Sequence, residues 1–432
     1  MLKARDRILP RCAVLGLASM LLFSGCLLIP HSAGHTERHH AFIEYWPPAK
    51  NPGLRLAVKD NIDMRGVVTT AGSEYLAKNS TPAPKDAPCL AGARQSGVTI
   101  VGKTNLSELA VSPSGFNEYY GTPKSPLSHM HRLIPGGSSC GSAVAVARGD
   151  ADVSFGTDTA GSVRVPAACC GVVGLKTTHG LVPIQGVVPI EPEHLDTVGP
   201  IGKDIEATVK GMGLLQSGFE SQYAAAKAAK PSGGSIRIGR LYLKGTNSVV
   251  DKAVDDALAK AGFQVVPLDE EFRKKWDQAK TDGNTVAAGG AWKSDGQYLA
   301  KSGISSRTKA AIIAGRLTYP LLYQRSLSRK SEWQHALRNV LHKVDFVALP
   351  TLQSTPPAIP PNLKLGILEI FVLDFQNTVA VNFAGNPALA LPIPLTHANV
   401  ERTSLQLIGP PRGEAALLNA GRIVEESVNK TK

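Results

Sequence analysis

Residues 136–180 have the sequence GGSSCGSAVAVARGDADVSFGTDTAGSVRVPAACCGVVGLKTTHG. Glycines flank hydroxyl residues in GGSSCGS and again in GTDTAGS. Because glycine has no Cβ, the backbone can approach a ligand closely at such positions. Successive backbone N–H groups in a turn of this kind form a concavity that holds an oxyanion. Ser162, at the end of the second turn, is therefore a candidate nucleophile for attack on a carbonyl group.

A nucleophilic serine needs a base, and the sequence offers a lysine. Lys59 lies in LAVKDNID at residues 56–63, directly after a run that is predicted to be a buried strand. A lysine at a strand end in a desolvated site can have its pKa lowered enough to be neutral and accept a proton. Neither glycine-rich motif has a histidine in a convincing arrangement, and Ser–Lys pairs are an attested form of the nucleophile and its base.

The sequence on either side of these motifs predicts an α/β fold. The chain has 432 residues, 43% hydrophobic and 19% charged, a composition typical of globular proteins. Apolar runs predict buried strands at Leu54–Val58, Val98–Val101 and Phe346–Leu349. Amphipathic patterns predict helices at Asp86–Gln95, Ser142–Arg148, Ile205–Leu215, Val250–Ala261, Glu332–Leu341 and Glu414–Val428. Because strands alternate with helices, we predict an α/β sandwich around one sheet.

Residues 270–330 are more helical and more aromatic than the rest of the chain. Their aromatic residues include Trp276, Trp292, Tyr298, Tyr319 and Tyr323. We predict that this segment is a helical insertion that covers the sheet and contributes to a substrate pocket. For any one of these residues, ordinary core packing is the alternative.

The N-terminus has the features of an export signal. Residues 1–11 are basic, and the twelve residues Cys12–Phe23 form an apolar run. This run is too short to span a bilayer and matches the apolar region of a signal peptide. Ser24 and Gly25 then precede Cys26, which resembles the bacterial lipoprotein box, in which the cysteine is lipidated. A plain buried helix is the alternative.

The leader sets the predicted organisation and location of the chain. We predict a signal peptide at residues 1–25, a lipid-anchored tether rich in His and Pro at 26–50, and the catalytic domain at 51–432. The protein would then be exported and anchored to a membrane, on the periplasmic or cell-surface side. The sequence does not identify the membrane or the oligomeric state.

Charge and cysteine content exclude some classes of protein. The net charge is +12, but no block of Lys and Arg is interleaved with aromatic residues, so a nucleic-acid partner is not predicted. Outside the leader and Cys26, the cysteines are Cys89, Cys140, Cys169 and Cys170. Their spacing fits neither a zinc site nor a dense disulfide framework. We predict that Cys169 and Cys170 lie in the core, and the redox state stays open.

Together these motifs resemble the amidase signature family. The stretch 136–174 is similar to the signature itself, and Lys59 lies in a KDN triplet that also matches. Further similar motifs are GKTNLSELA at 102–110, LDTVGPIGKD at 195–204 and NFAGNPALALPIPL at 382–395. The resemblance thus covers about residues 54–425, and it implies an α/β/α sandwich around a large mixed β-sheet.

The resemblance also implies a mechanism for hydrolysis of a carboxylic amide to an acid and an amine or ammonia. The family uses a nucleophilic serine, a bridging serine after a cis peptide bond, and a lysine. These fall on Ser162, Ser138 and Lys59, with the two serines 24 positions apart as in the family. Ser162 would attack the amide carbon to form an acyl-enzyme, and Ser138 would relay its proton to neutral Lys59.

Further roles follow from the same resemblance. The oxyanion hole would be formed by the backbone N–H groups of Thr159, Ala160, Gly161 and Ser162. Asp158 and Arg164 match positions that support this loop. The family needs no cofactor, and the chain has no ATP-binding loop. One branch of the family acts in aminoacyl-tRNA amidotransferases, as their amidase component, but an exported protein would not meet tRNA. A small-molecule amide of unidentified structure is the expected substrate.

Three positions depart from the family pattern. Cys140 replaces the glycine that usually follows GGSS, Thr177 replaces a proline, and Ala160 stands where glycine is frequent. The segment before Lys59 is also short, so the family's N-terminal helices are largely missing. None of these departures affects the catalytic residues.

Three other interpretations remain open at this point. Residues 137–141 fit G-x-S-x-G, the nucleophile elbow of α/β-hydrolases, which would make the chain an esterase with Ser139 as nucleophile. The elbow needs a preceding strand, and Pro135 makes that segment poor strand material. A lipoprotein that binds a ligand without catalysis is the second interpretation. The third is a metal site at His129 and His131 or at His39 and His40, but no metal is predicted because no carboxylate–histidine cluster supports it.

Overall fold

The computed structural model describes residues 34–50, 53–128, 132–359, 369, 372–396 and 400–429. The predicted signal peptide and the lipid site at Cys26 lie outside the described residues, as do His129 and His131. Among the helices that the structure describes, none combines the length and the apolar character needed to cross a bilayer.

The centre of the fold is one sheet of eleven strands. The strands are β1 (Phe42–Tyr45), β2 (Arg55–Lys59), β3 (Thr99–Thr104), β4 (Val153–Asp158), β5 (Val173–Lys176), β6 (Thr197–Gly202), β7 (Arg237–Arg240), β8 (Gln264–Pro267), β9 (Phe346–Pro350), β10 (Ala388–Pro394) and β11 (Arg402–Ile408). Their spatial order is β1-β3-β2-β4-β6-β5-β10-β11-β9-β7-β8.

The sheet is mixed, because both parallel and antiparallel pairs contribute. Strand β2 pairs in parallel with β3 and β4, and β7 pairs in parallel with β8 and β9. The other neighbouring pairs are antiparallel. The large mixed sheet of the predicted fold class is therefore confirmed.

Helices cover both faces of this sheet. They are α1 (Glu74–Asn79), α2 (Ala91–Ser96), α3 (Cys140–Ala147), α4 (Arg164–Cys170), α5 (Ile205–Leu215), α6 (Phe219–Ala229), α7 (Ser248–Lys260), α8 (Glu270–Asp295), α9 (Ser306–Thr318), α10 (Gln324–Ser328), α11 (Lys330–Leu341), α12 (Val379–Ala384) and α13 (Glu414–Asn429). A π-helical turn, Tyr319–Tyr323, joins α9 to α10.

The side chains of successive strand residues point to opposite faces, and the core divides accordingly. Leu56 and Val58 of β2 pack into a core that also receives apolar residues from α5, α6, α7 and α13. Ala57, which lies between them, packs on the other face against α3 and α4. The same face carries a further core built from α8, α11 and α12. The result is the three-layer arrangement that the fold class implies.

Most of the predicted elements lie where the sequence patterns placed them. The helix predicted at Ile205–Leu215 has those bounds, and the other predicted helices after residue 140 differ by one or two residues at an end. The helix predicted at Asp86–Gln95 is an exception, because Pro88–Leu90 is a 3₁₀ turn and the α-helix begins at Ala91. Pro88 has no backbone N–H, which favours the tighter opening turn.

Part of the predicted tether belongs to the sheet. Phe42–Tyr45 pairs antiparallel with β3, and the side chain of Phe42 is buried. The approach of the two strands is close, because a Cβ on Gly102 would lie 2.1 Å from the carbonyl oxygen of Glu44. The tether prediction therefore does not describe this segment. Its His-rich and Pro-rich composition concealed a four-residue strand, since short edge strands give a weak sequence pattern.

The segment predicted to be an insertion, residues 270–330, is helical throughout most of its length. Trp276 is buried in the core with Trp333, and their ring centroids lie 5.8 Å apart. Tyr323 is also buried, and its hydroxyl donates to Glu191 at 2.9 Å. Trp276 and Tyr323 therefore pack in the core. The role of the segment in a substrate pocket stays a prediction.

The cysteines of the described chain are all buried. Cys89, Cys140, Cys169 and Cys170 are free thiols, and burial raises the pKa of Cys89 and of Cys140 to about 12. The adjacent pair lies in helix α4 within the core, as predicted.

Candidate active site

The register of the central strands brings the two catalytic motifs together. Strands β2 and β4 are parallel, and Val58 pairs with Phe155. Their C-terminal residues, Lys59 and Asp158, therefore lie at the same edge of the sheet. The turn that carries Ser162 continues directly from β4, and the loop that carries Ser138 precedes α3 on the adjoining face.

Lys59 is held by two hydroxyl groups. Its Nζ donates to Oγ of Ser138 at 2.7 Å and to Oγ1 of Thr157 at 2.7 Å. Asn61 also donates to Oγ1 of Thr157, at 3.1 Å. All four side chains are buried, so the amine is fixed in position and separated from water.

The environment of Lys59 favours the neutral amine. Burial lowers the pKa of Lys59 from 10.5 to about 7, against the opposing influence of Cys140, Asp158 and Asp196. Removing the ammonium ion from water disfavours the charged form, and the neighbouring carboxylates compensate only in part. A lysine in this state can accept a proton near neutral pH, as the sequence predicts.

The two serine loops lie side by side. The backbone N–H of Ser139 donates to the carbonyl oxygen of Ser162 at 3.2 Å. The peptide bond between Gly137 and Ser138 is cis, as the resemblance implies. Ser162 is half-buried, and within the described part of the chain its hydroxyl makes no hydrogen bond. The structure thus joins Lys59 to Ser138 directly, while Ser162 lies beside them with its hydroxyl unengaged.

The turn from Thr159 to Ser162 is fixed by Asp158 and Thr378. The N–H of Gly161 donates to Oδ1 of Asp158 at 2.8 Å, so this predicted oxyanion donor is already engaged. Over the described residues, the N–H groups of Thr159, Ala160 and Ser162 have no such partner. Gly161 has φ +137°, and a Cβ there would lie 2.2 Å from Oγ1 of Thr378, so no other residue fits.

A buried ion pair supports the turn from beneath. Arg164 and Asp158 form two hydrogen bonds, Nε to Oδ2 at 3.0 Å and Nη2 to Oδ1 at 2.9 Å, and neither side chain is exposed. Burial alone would raise the pKa of Asp158, but the Arg164 guanidinium outweighs it and lowers that pKa to about 2. The carboxylate is therefore ionised at neutral pH.

The guanidinium of Arg164 also ties the turn to the C-terminal half of the chain. Its Nη1 donates to the carbonyl oxygen of Thr378 at 3.0 Å and to Oε1 of Gln406 at 2.7 Å. Asn382 donates to Oδ1 of Asp158 at 2.8 Å. These contacts give hydrogen-bond acceptors to most N–H groups of the guanidinium, as a buried arginine requires. Asp158 and Arg164 therefore lie beside the turn that they are predicted to support, and that role stays a prediction.

Asp196 fixes the other end of the turn. Its Oδ1 accepts from Oγ1 of Thr159 at 2.7 Å, and its Oδ2 accepts from the backbone N–H of Ile190 and Glu191. The motif LDTVGP contains this aspartate, but the sequence did not indicate what the residue contacts.

Four functional contacts were missed by reasoning from the sequence. Thr157 contacts Lys59, and Asn61 contacts Thr157. Thr378 contacts Ala160 in the turn that follows β4, and Asn382 contacts Asp158 at the end of that strand. Thr157 and Asn61 lie inside motifs that the sequence analysis quoted, GTDTAGS and KDN, so a signal existed. Asn382 opens another quoted motif, NFAGNPALALPIPL, whereas Thr378 lies outside all of them. Both residues lie more than 200 positions from the turn, and only the fold brings them there.

The esterase interpretation is not favoured by the local structure. Ser139 is buried, and its hydroxyl donates to the carbonyl oxygen of Thr157 at 3.3 Å, so it points away from solvent. Residues 132–139 form no strand, apart from an isolated bridge at Leu133. A nucleophile elbow requires a strand that leads directly into the serine.

Possible metal ligands lie apart from the catalytic residues. His39 and His40 are exposed, and His40 bonds to the hydroxyl of Thr36 at 2.7 Å. Among described residues, the group of His, Cys, Asp and Glu with atoms close enough to share an ion is Glu191, Glu193 and His194. Lys293 lies 3.8 Å from Glu193, and a neighbouring cation disfavours metal binding, so we assign no ion there.

Comparison with known proteins identifies the family to which the chain belongs. Residues 51–418 match the Amidase family. The chain is 31% identical over 416 residues to the A component of the glutamyl-tRNA(Gln) amidotransferase of Halobacterium salinarum, covering 87% of this chain and 95% of the relative. It is 33% identical over 395 residues to 2-amino-5-chloromuconic acid deaminase of Comamonas testosteroni, covering 88% and 82%.

Solved structures share the fold. The A component of the glutamyl-tRNA(Gln) amidotransferase of Thermotoga maritima superposes with a TM-score of 0.71 at 24% identity, covering 89% of this chain and 87% of that one. The fold, the buried lysine and the glycine-rich turns define a class of hydrolases that act on carbon–nitrogen bonds. The chain belongs to the amidase signature family.

Removing one partner of the Asp158–Arg164 pair should destabilise the protein more than removing one partner of a pair near the surface. Asp158→Asn keeps the shape of the side chain but leaves a buried guanidinium without its counter-charge, which should cost about 3 to 5 kcal/mol. Asp152→Asn is the matched control, because Asp152 pairs with Arg55 with 26% of each side chain exposed and should cost less than about 1 kcal/mol. Urea unfolding measures both, and equal losses would contradict the prediction.

Proposed function

We propose that this chain is an exported, lipid-anchored serine amidohydrolase that cleaves a small-molecule carboxylic amide through an acyl-enzyme. Ser162 is the nucleophile, Ser138 the proton relay and Lys59 the base. The observation that carries the proposal is the 2.7 Å contact between Nζ of Lys59 and Oγ of Ser138 in a buried site where the lysine pKa is about 7.

The proposed reaction begins with proton transfer through the two serines. Oγ of Ser162 attacks the amide carbon while its proton passes to Oγ of Ser138, whose own proton passes to neutral Lys59. The tetrahedral intermediate then collapses, and the carbon–nitrogen bond breaks. The leaving amine takes a proton from Lys59 through Ser138. Water hydrolyses the ester on Ser162 by the same relay, which releases the acid and restores neutral Lys59.

The oxyanion of the intermediate would be stabilised by the turn after β4. Three of the four predicted donors, the N–H groups of Thr159, Ala160 and Ser162, are free to point at it, since Gly161 donates to Asp158. Each such donor typically contributes about 3 kcal/mol to transition-state stabilisation. The bond from Gly161 to Asp158 supports the proposal in another way, because it holds the turn in place before substrate arrives.

The substrate is proposed to be a small molecule. The relatives include a component of a tRNA amidotransferase and 2-amino-5-chloromuconic acid deaminase. Family membership alone therefore does not identify the substrate. An exported protein would meet no tRNA, and the chain has no basic block interleaved with aromatic residues. A small-molecule amide outside the cytoplasm fits both features.

Ser162→Ala should abolish turnover and should also abolish covalent labelling by a fluorophosphonate probe, because the reactive oxygen is lost. Intact-mass measurement of the labelled protein reads this directly. Ser139→Ala is the matched control, since it removes a neighbouring hydroxyl that bonds to a carbonyl oxygen, and labelling should persist. Labelling that survives in Ser162→Ala would place the nucleophile elsewhere.

The dependence of turnover on pH should follow the fraction of Lys59 that carries a neutral amine. Lys59 with a pKa of about 7 is protonated below that pH and neutral above it, so the rate should rise with pH through about 7 and then level off. Lys59→Arg retains a charge but supplies no neutral base, and most activity should be lost.

Lys176 provides an unusually good control for this profile. It is also fully buried, and burial together with Arg164 lowers its pKa to about 7, but its Nζ bonds to the carbonyl oxygens of Thr177 and Asn386. The Lys176→Gln variant should therefore keep the rise in rate with pH through about 7. If the Lys59→Arg variant turned over substrate normally with the same rise in rate, the base would be another residue.

Cys26 should be the lipidated first residue of the mature protein. Membrane fractionation followed by mass spectrometry of the N-terminal peptide tests this. Cys26→Ser should remain unlipidated, whereas Cys12→Ser alters only the apolar run of the leader and should still be processed. A soluble product that is cleaved at another residue would refute the assignment of Cys26 as the anchor.

A further inference from the structure

The outward face of helix α9 and the turn after it carries apolar side chains that no other described element covers. Ile313, Leu317 and Leu321 are 37%, 52% and 79% exposed, and they follow one another at four-residue intervals. The opposite face of the same helix packs against α8, where a Cβ on Gly315 would lie 2.0 Å from the carbonyl oxygen of Ala288. The helix is therefore fixed with these three side chains, the apolar stripe, turned to solvent.

The stretch of sequence that carries the apolar stripe contains cations and no carboxylate. Between Asp295 and Glu332 the sequence contains no carboxylate, while it contains the cations Lys301, Arg307, Lys309, Arg316, Arg325, Arg329 and Lys330. Lys309 and Arg325 form no ion pair within the described residues, and Arg316 lies over the ring of Trp292, 5.4 Å from its centroid. An exposed apolar stripe with cations nearby offers the two interactions that bind the surface of an anionic membrane, burial of apolar area and attraction to the lipid headgroups.

The N-terminal end of the described chain enters the fold beside the start of this helix. The N–H of Gly34 donates to the carbonyl oxygen of Tyr119 at 2.8 Å. The neighbouring Glu118 pairs with Arg307, in the first turn of α9, at 3.2 Å. The proposed anchor at Cys26 precedes Gly34 by eight residues, which span at most about 28 Å when extended. Leu321 lies about 20 Å along the helix from Arg307, which is within that reach.

We propose that the apolar stripe docks on the surface of an anionic lipid bilayer, so that the enzyme lies on the membrane in one fixed orientation. The anchor alone would tether the protein without orienting it. The stripe and its cations would provide a second attachment, which fixes the orientation of the enzyme on the bilayer. The proposal does not depend on the catalytic residues, and it uses the anchor only for reach.

The test measures which face of the full-length protein touches lipid. Leu321→Cys is labelled with an environment-sensitive fluorophore, and Val265→Cys, at an exposed position on edge strand β8, is the matched control. Each protein is reconstituted with vesicles that contain one part of phosphatidylglycerol to two parts of phosphatidylcholine, or phosphatidylcholine alone, with acyl chains brominated near the headgroup. The unsubstituted protein gives the background from the native cysteines.

Quenching by the brominated lipid is expected at position 321 and not at 265, and only with the anionic vesicles. Lys309→Gln with Arg325→Gln should lower the docked fraction by roughly tenfold or more, since each cation near an anionic surface contributes about a fivefold factor. Leu317→Ser with Leu321→Ser should lose quenching, read from a label at Ile313→Cys, while hydrolysis of a soluble amide is retained. That activity shows that the variant is folded.

Other outcomes would overturn the proposal. Equal quenching at the two positions, or none at either, would mean that this face does not bind lipid. A spectral shift of the label at 321 that depends on protein concentration without lipid would identify a second copy of the chain as the occupant. The anchor is checked separately by mass spectrometry of the N-terminal peptide, so an unlipidated protein that still docks through position 321 would refute the anchor and support the surface.

Discussion

The ion pair between Asp158 and Arg164 is the interaction on which the site depends. Both side chains are fully buried, so each charge requires the other. The carboxylate holds the N–H of Gly161, and the guanidinium reaches Thr378 and Gln406 in the C-terminal half. The candidate catalytic turn therefore takes its shape from contacts beneath it, before any substrate is bound. Electrostatic catalysis requires preorganisation of this kind.

The same sheet edge creates the environment of the proposed base, Lys59. Lys59 ends a buried strand, and its amine meets only hydroxyl groups at bonding distance, with the carboxylates of Asp158 and Asp196 farther away. Lys103, on the neighbouring strand β3, is also buried but has the carboxylate of Asp60 in contact at 2.9 Å. The two buried lysines thus differ in their partners, because only one of them contacts a carboxylate.

The sequence predicted the fold class, most of the helices, and the residues that now meet at the edge of the sheet. The spacing of apolar residues along a helix and the positions of glycines are local properties of a sequence. The helix Ile205–Leu215 and the two glycine-rich turns could therefore be recognised without coordinates. Thr378 could not be found in this way, since its contact with Ala160 depends on chain that returns after more than 200 residues. Strand β1 was concealed for a different reason, because four residues are too few to establish a period.

The neutral state of two buried amines has a thermodynamic consequence for the whole fold. Burial holds the pKa values of Lys59 and Lys176 at about 7, below the 10.5 of an unfolded lysine. Between those two values the unfolded chain binds more protons than the folded chain, so the free energy of unfolding rises with pH across that window. Below about 7 both states carry the same charge on these residues, and the cost of enclosing two ammonium ions is present in full. A pH above about 7, which deprotonates the proposed base, therefore also removes the free-energy cost of burying two ammonium ions in the folded protein.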